Sequence, residues 1–154
     1  MLKKWRSRYK RAQLAHSYTA VSYGRYNFTL GIILIILTTA SSVLIFSDFK
    51  CYFWLSPTVG VFAALFAYLQ TFLSFSKNAE IHRVVERSYG ALKKEVEYLI
   101  NFNSGEDISK KVNDIREKEN TLSSEAPHSL SYNWKKAKKE TQDENDQYSI
   151  RTNT

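Results

Sequence analysis

The sequence predicts an all-α membrane protein: a two-helix transmembrane hairpin with long cytosolic helical extensions, working as an oligomer. Three observations predict it. Two charge-free apolar runs of span length are separated by a short segment. Basic residues crowd the outer flanks of both runs and are scarce between them. Outside the runs, apolar residues recur at steps of three and four, the period of a helix face.

The mean hydropathy of −0.38 would suit a soluble protein, but it averages over a sharp partition. Apolar residues concentrate between Phe28 and Phe75, and almost everything outside is polar or charged. Charge is uneven too. The net charge of +7 comes from 22 Lys and Arg against 15 Asp and Glu. Before Phe28 stand Lys3, Lys4, Arg6, Arg8, Lys10, Arg11 and Arg25 with no acid among them, a group equal to the whole excess.

Residues 1–27 are expected to form a basic amphipathic cytosolic helix. Trp5, Tyr9, Ala12, His16, Ala20 and Tyr23 share one face. Such a helix either lies on the membrane surface or continues into the first span and packs on a neighbour; the lack of Pro and of any Gly before Gly24 favours continuity. Lys3, Lys4, Arg6, Arg8, Lys10 and Arg11 are candidate contacts to anionic lipid or another anionic ligand. A nucleic acid would also suit them, but the cytoplasmic flank of a span is the simpler account.

The first span is placed at 28–46, FTLGIILIILTTASSVLIF, about 28 Å of helix against a hydrocarbon core of about 30 Å. The bulky SDFKCYFW that follows has no small-residue cleavage pattern, so the run reads as a retained span. Residues 47–56 form a short external loop, where Phe49, Tyr52, Phe53 and Trp54 suit a membrane interface. Cys51, the single cysteine, excludes an internal disulfide. The second span is placed at 57–75, with Ser56 as N-cap and Pro57 at the first helical position. The short loop requires an antiparallel hairpin. Lys50, offset by Asp48, is the loop's one basic residue, whereas Lys77, Arg83 and Arg87 follow the second span, so both termini are expected inside.

Residues 76–103 are expected to form a coiled-coil-like helix. His82, Val85, Tyr89, Leu92, Val96 and Leu99 make a three-four seam that needs a partner. Either the N-terminal helix of the same chain or a sister copy can supply it, and the seam is a candidate oligomerisation surface. Residues 104–137 hold a further helix and loop: a capping box at Ser104–Asp107, Ile108, Val112, Ile115 and Leu122 on one side, and a turn around Pro127. Residues 138–154 are read as a disordered polar tail.

Catalytic constellations are missing from the sequence. Glycines are scattered singly, and His16, His82 and His128 have neither metal-ligand spacing nor a nearby Cys. No Asp, Glu, Lys or Arg lies inside a span, which argues against proton-coupled transport. The expectation is no enzyme and no cofactor. The chemistry left is the polarity of the spans. Gly60, Ala64, Ala67, Thr71 and Ser74 form a small-residue stripe with Gln70 beside it, and Gly31, Thr38 and Ser42 form a weaker counterpart. Such stripes let helices approach closely in lipid. Thr38, Ser42, Gln70, Thr71 and Ser74 are candidate pore-lining or packing residues, and Gly31, Gly60, Ala64 and Ala67 packing residues. Two helices cannot enclose water, so a conduit requires a homo-oligomer.

Taken together, residues 3 to 137 resemble the SLATT domain, a two-transmembrane effector module of bacterial conflict systems. A basic helix bearing Trp5 and Tyr9 precedes the first span, as in that family. The most specific part is the Leu-Gln-Thr-Phe exit at Leu69–Phe72, then His82-Arg83, Tyr89, Leu92, Glu95 and Glu97; Ala126-Pro127 is similar to the family's end region. Val85 departs from it, standing where Ala is expected, which bears on seam packing. The resemblance implies a pore-forming effector of the bacterial inner membrane that permeabilises it when phage infection is sensed. It also implies a separate, co-encoded sensor: a nucleotide-generating enzyme, a nucleotide-binding protein or a reverse transcriptase product. Two other readings fit the layout, a holin- or toxin-like two-span protein and a passive anchor recruiting a cytosolic partner through its seam.

Overall fold

The structure is a computed structural model that describes residues 2–46, 54–101 and 108–152, with side chains through residue 144. The expected loop residues Asp48, Phe49, Lys50, Cys51, Tyr52 and Phe53, and the expected capping box at Ser104–Asp107, lie outside the described residues. The fold is all-helical: α1 (Leu2–Phe46), α2 (Leu55–Leu73), α3 (Phe75–Asn101), α4 (Ile108–Glu125) and α5 (Ser131–Thr152), with no strand among the described residues.

Two helical stretches, Leu2–Phe46 and Leu55–Asn101, are long and apolar enough to cross a membrane. A soluble protein's core helix of this composition buries most of its apolar window. Here the windows are 0% and 6% buried, and Phe28, Ile35, Phe46 and Phe72 are all more than half exposed. That much uncovered hydrocarbon suits lipid rather than water. The basic arm and the first apolar run form one unbroken helix, the second of the two arrangements the sequence left open.

The chain divides into two compact units: Ser22–Ala79, and Met1–Val21 with Glu80–Thr154. The first is a helical hairpin. Tyr26 packs against Phe75 with ring centroids 5.8 Å apart, while further along α1 Ser41 Oγ lies 3.6 Å from where a Cβ on Gly60 would stand. Later residues of α1 meet earlier residues of α2, so the two run antiparallel. The helix start differs from expectation. α2 begins at Leu55 after Trp54, which makes no side-chain cap, and Pro57 falls at the third helical position. The missing N–H is equally harmless there, because no N–H of the first turn has an intrahelical acceptor.

Ser74 is not inside the second span's helix. It takes φ 44° and ψ 42°, the left-handed region, and separates α2 from α3. A side chain in that region costs roughly 1–2 kcal/mol, which is why Gly usually ends helices this way. Local bonds hold the joint: Ser74 Oγ donates to Thr71 O at 3.0 Å and Asn78 Nδ2 to Leu73 O at 3.2 Å.

The second unit is a four-helix bundle. Its core joins Tyr9 and Ala12 of α1, Val85, Leu92 and Val96 of α3, and Ile115 of α4. α5 runs antiparallel to the start of α1, with Asn133 bonded to Thr19 and Thr141 to Arg11. The segment read as a polar tail from residue 138 is helical through Thr152. Three small side chains explain it: Asn133, Ala137 and Thr141, one turn apart, are at most 3% exposed. They let a mostly charged helix lie close against α1 without an apolar stripe.

Candidate functional site

The hairpin carries an open crevice of about 480 Å³. From α1 it is lined by Leu34, Thr38, Ser41 and Ser42. From α2 it is lined by Gly60, Ala63, Ala64 and Ala67. Four of the expected stripe and pore residues besides Gly60 therefore meet there: Thr38, Ser42, Ala64 and Ala67. Gln70, Thr71, Ser74 and Gly31 are not part of it, and a Cβ at Gly31 would meet nothing within 4 Å.

The packing face is also rotated from the one expected. Leu55, Ser56, Val59, Gly60, Ala63, Phe66, Ala67 and Gln70 are the covered or half-covered residues of α2, whereas Ala64, Thr71 and the following Ser74 are exposed. Ala63 is the single buried residue within α2. Two stripes, through Ala63 or through Ala64, satisfy the same three-four spacing, and composition alone does not separate them. The hydroxyls bond to their own helix: Thr38 to Leu34 O at 2.9 Å, Ser42 to Thr38 O at 2.9 Å and Thr71 to Ala67 O at 3.0 Å. Each spends its proton on the backbone and keeps lone pairs that can accept from water.

The seam expected to join subunits is the core of the bundle. His82, Val85, Tyr89, Leu92, Val96 and Leu99 are all at most 9% exposed within one chain. The N-terminal helix takes the place offered to a sister copy, because Tyr9, Ala12 and His16 complete the cluster from the same chain. A seam filled in this way is a stability element.

Within that core lies a pair of histidines. His16 and His82 face each other with Nδ1 atoms 2.8 Å apart, and the Tyr89 ring stacks on His16 at 5.8 Å. Such a contact requires one ring to donate and the other to accept, so the accepting ring is neutral and the two cannot both be charged. Burial pushes both down, His16 to about 4, with the His82 charge adding to the effect. Among the described residues no group of three or more His, Cys, Asp or Glu is placed to hold a metal ion.

Three of the six basic candidates, Arg6, Arg8 and Lys10, are committed to acids far along the chain. Arg6 Nε donates to Glu97 at 2.7 Å, Arg8 and Lys10 pair with Glu119 and Glu144, and Arg11 Nε donates to Thr141 Oγ1 at 3.2 Å. The Arg6 bond holds the Glu97 carboxyl below the usual range. Of the six candidate anion contacts, Lys3 and Lys4 are exposed outside these pairs. Counting charge along the sequence finds no acid near the arm, because its partners lie about ninety or more residues away. Glu119, unforeseen from sequence, is 8% exposed and accepts from Tyr9 Oη at 2.7 Å beside Arg8.

No protein-family model, curated protein or solved structure matches the chain.

Proposed function

We propose that the chain is a membrane-permeabilising, pore-forming effector of a bacterial antiphage, abortive-infection system. It acts as an oligomer in the inner membrane, with both termini cytoplasmic, and a separate co-encoded sensor triggers it. The observation that carries this reading is the hairpin crevice, where two otherwise apolar helices bring hydroxyl and small side chains to one open surface. In lipid such a surface is best met by another helix or by water, and several hairpins turned crevice-inward would line a conduit. The SLATT resemblance supplies the biological setting. The basic flanks support the orientation, since that rule acts while the chain inserts, before the bundle's ion pairs form.

The anchor reading is weaker than it is on sequence alone, because the 82–99 seam it would recruit through is filled from within the chain. The test is a potential-sensitive dye in cells co-expressing the chain with its activator. Wild-type protein is expected to collapse the potential. Thr38→Val with Ser42→Ala should reduce the leak severalfold at equal membrane abundance. An activated wild type that leaves the potential intact would rule the pore out.

A further inference from the structure

We propose that the groove between α3 and α4 seats the same groove of a second copy, the two related by a two-fold axis running along it. The helices lie side by side and antiparallel, bridged by Lys118 Nζ at 2.8 and 3.0 Å from the two Glu95 oxygens. Cavities of about 410 and 670 Å³ extend along the groove around that bridge. Their floor is apolar and already packed, with Leu92, Leu99 and Ile115 at most 7% exposed. At one end Tyr98 is left 56% exposed, with the Lys111 ammonium 5.9 Å above its ring. A large aromatic beside an apolar floor is the kind of residue that anchors an interface.

Charge complementarity selects the occupant. The α3 wall presents Lys94 then Glu95, and the α4 wall presents Glu117 then Lys118. Glu95 and Lys118 touch and so share one level along the groove, and Lys94 and Glu117 lie one residue to either side of it, about 3 Å apart along the axis, with the signs exchanged between the walls. A two-fold axis along the groove lays α3 of one copy on α4 of the other. Lys94 then meets the partner's Glu117, and Glu95 meets the partner's Lys118, twice over by symmetry. A uniformly acidic or basic partner would meet both signs on both walls. The inference extends the oligomer just proposed, and rests on that reading only in requiring that copies meet.

The experiment uses full-length chains carrying two different tags, co-expressed and purified in mild detergent. Wild type is expected to co-purify with itself. In a pair of Lys94→Glu chains each new carboxylate faces the other copy's Glu117, and in a pair of Glu117→Lys chains each new ammonium faces the other copy's Lys94. Each variant alone should therefore lose about tenfold or more of its self-association, as like charges brought together cost several kcal/mol. Mixing the two variants should restore it, since both contacts become opposite-charged again. Repulsion within a chain is not relieved by mixing, so misfolding cannot imitate the rescue. The proposal is overturned by a wild type that does not self-associate, by homotypic variants that associate normally, or by mixtures that fail to recover. Membrane potential is read in the same cells: rescue of association without any leak overturns the pore alone, and leak without rescue overturns the groove alone.

Discussion

His16 and His82 meet Nδ1 to Nδ1 at 2.8 Å inside the bundle, one on α1 and one on α3, under the ring of Tyr89. The contact holds the helix that leads into the first apolar run against the helix that follows the second. It cannot form between two imidazolium rings, and burial disfavours charge on either one, which couples the packing of the bundle to pH.

In the unfolded chain each imidazole titrates near about 6.5, whereas burial in the bundle pushes His16 down to about 4. Across that window the unfolded state binds more protons, so stability rises with pH. It is fully present above about 6.5 and is lost progressively as pH falls toward 4. At pH ~5 the loss through His16 is about 2 kcal/mol. Thermal unfolding of the full chain in detergent should show a lower midpoint at pH ~5 than at pH ~7.5. His16→Gln, which cannot ionise, should flatten that dependence; an unchanged slope would assign it to other groups.

Glu119 is buried with its oxygens taken by Tyr9 and Arg8. Glu119→Leu strands the buried Tyr9 hydroxyl and is expected to cost about 1–3 kcal/mol. Glu119→Gln keeps an acceptor for Tyr9 and loses only the ion pair with the largely exposed Arg8, so it should cost clearly less. Chemical denaturation of the two variants under one set of conditions checks the order, and equal losses would contradict the role given to Tyr9.

Ser74 adopts a left-handed conformation that Gly reaches without strain. Ser74→Gly is expected to hold or raise stability by up to about 1 kcal/mol, and Ser74→Val to lower it by about 1–2 kcal/mol. Midpoints of thermal unfolding measure both. A Val variant as stable as wild type would mean that the helix runs through this position.

Features that depend on neighbours along the chain are legible before it folds. Hydropathy from Phe28 to Phe46 and from Pro57 to Phe75 marks two apolar helices, and the spacing from His82 to Leu99 marks a helix with one buried face. Those patterns are local, because backbone hydrogen bonding and side-chain direction repeat every few residues.

Packing in three dimensions chose which surfaces meet. It gave the seam to Tyr9, Ala12 and His16 of the same chain, turned Ala63 rather than Ala64 inward, and folded the polar tail through Ala137 and Thr141. It also drew Arg6 and Arg8 to Glu97 and Glu119. The physical reason is common to all four. A helix face states that it needs a partner, and a charge that it needs its opposite, but neither says how far along the chain that partner lies.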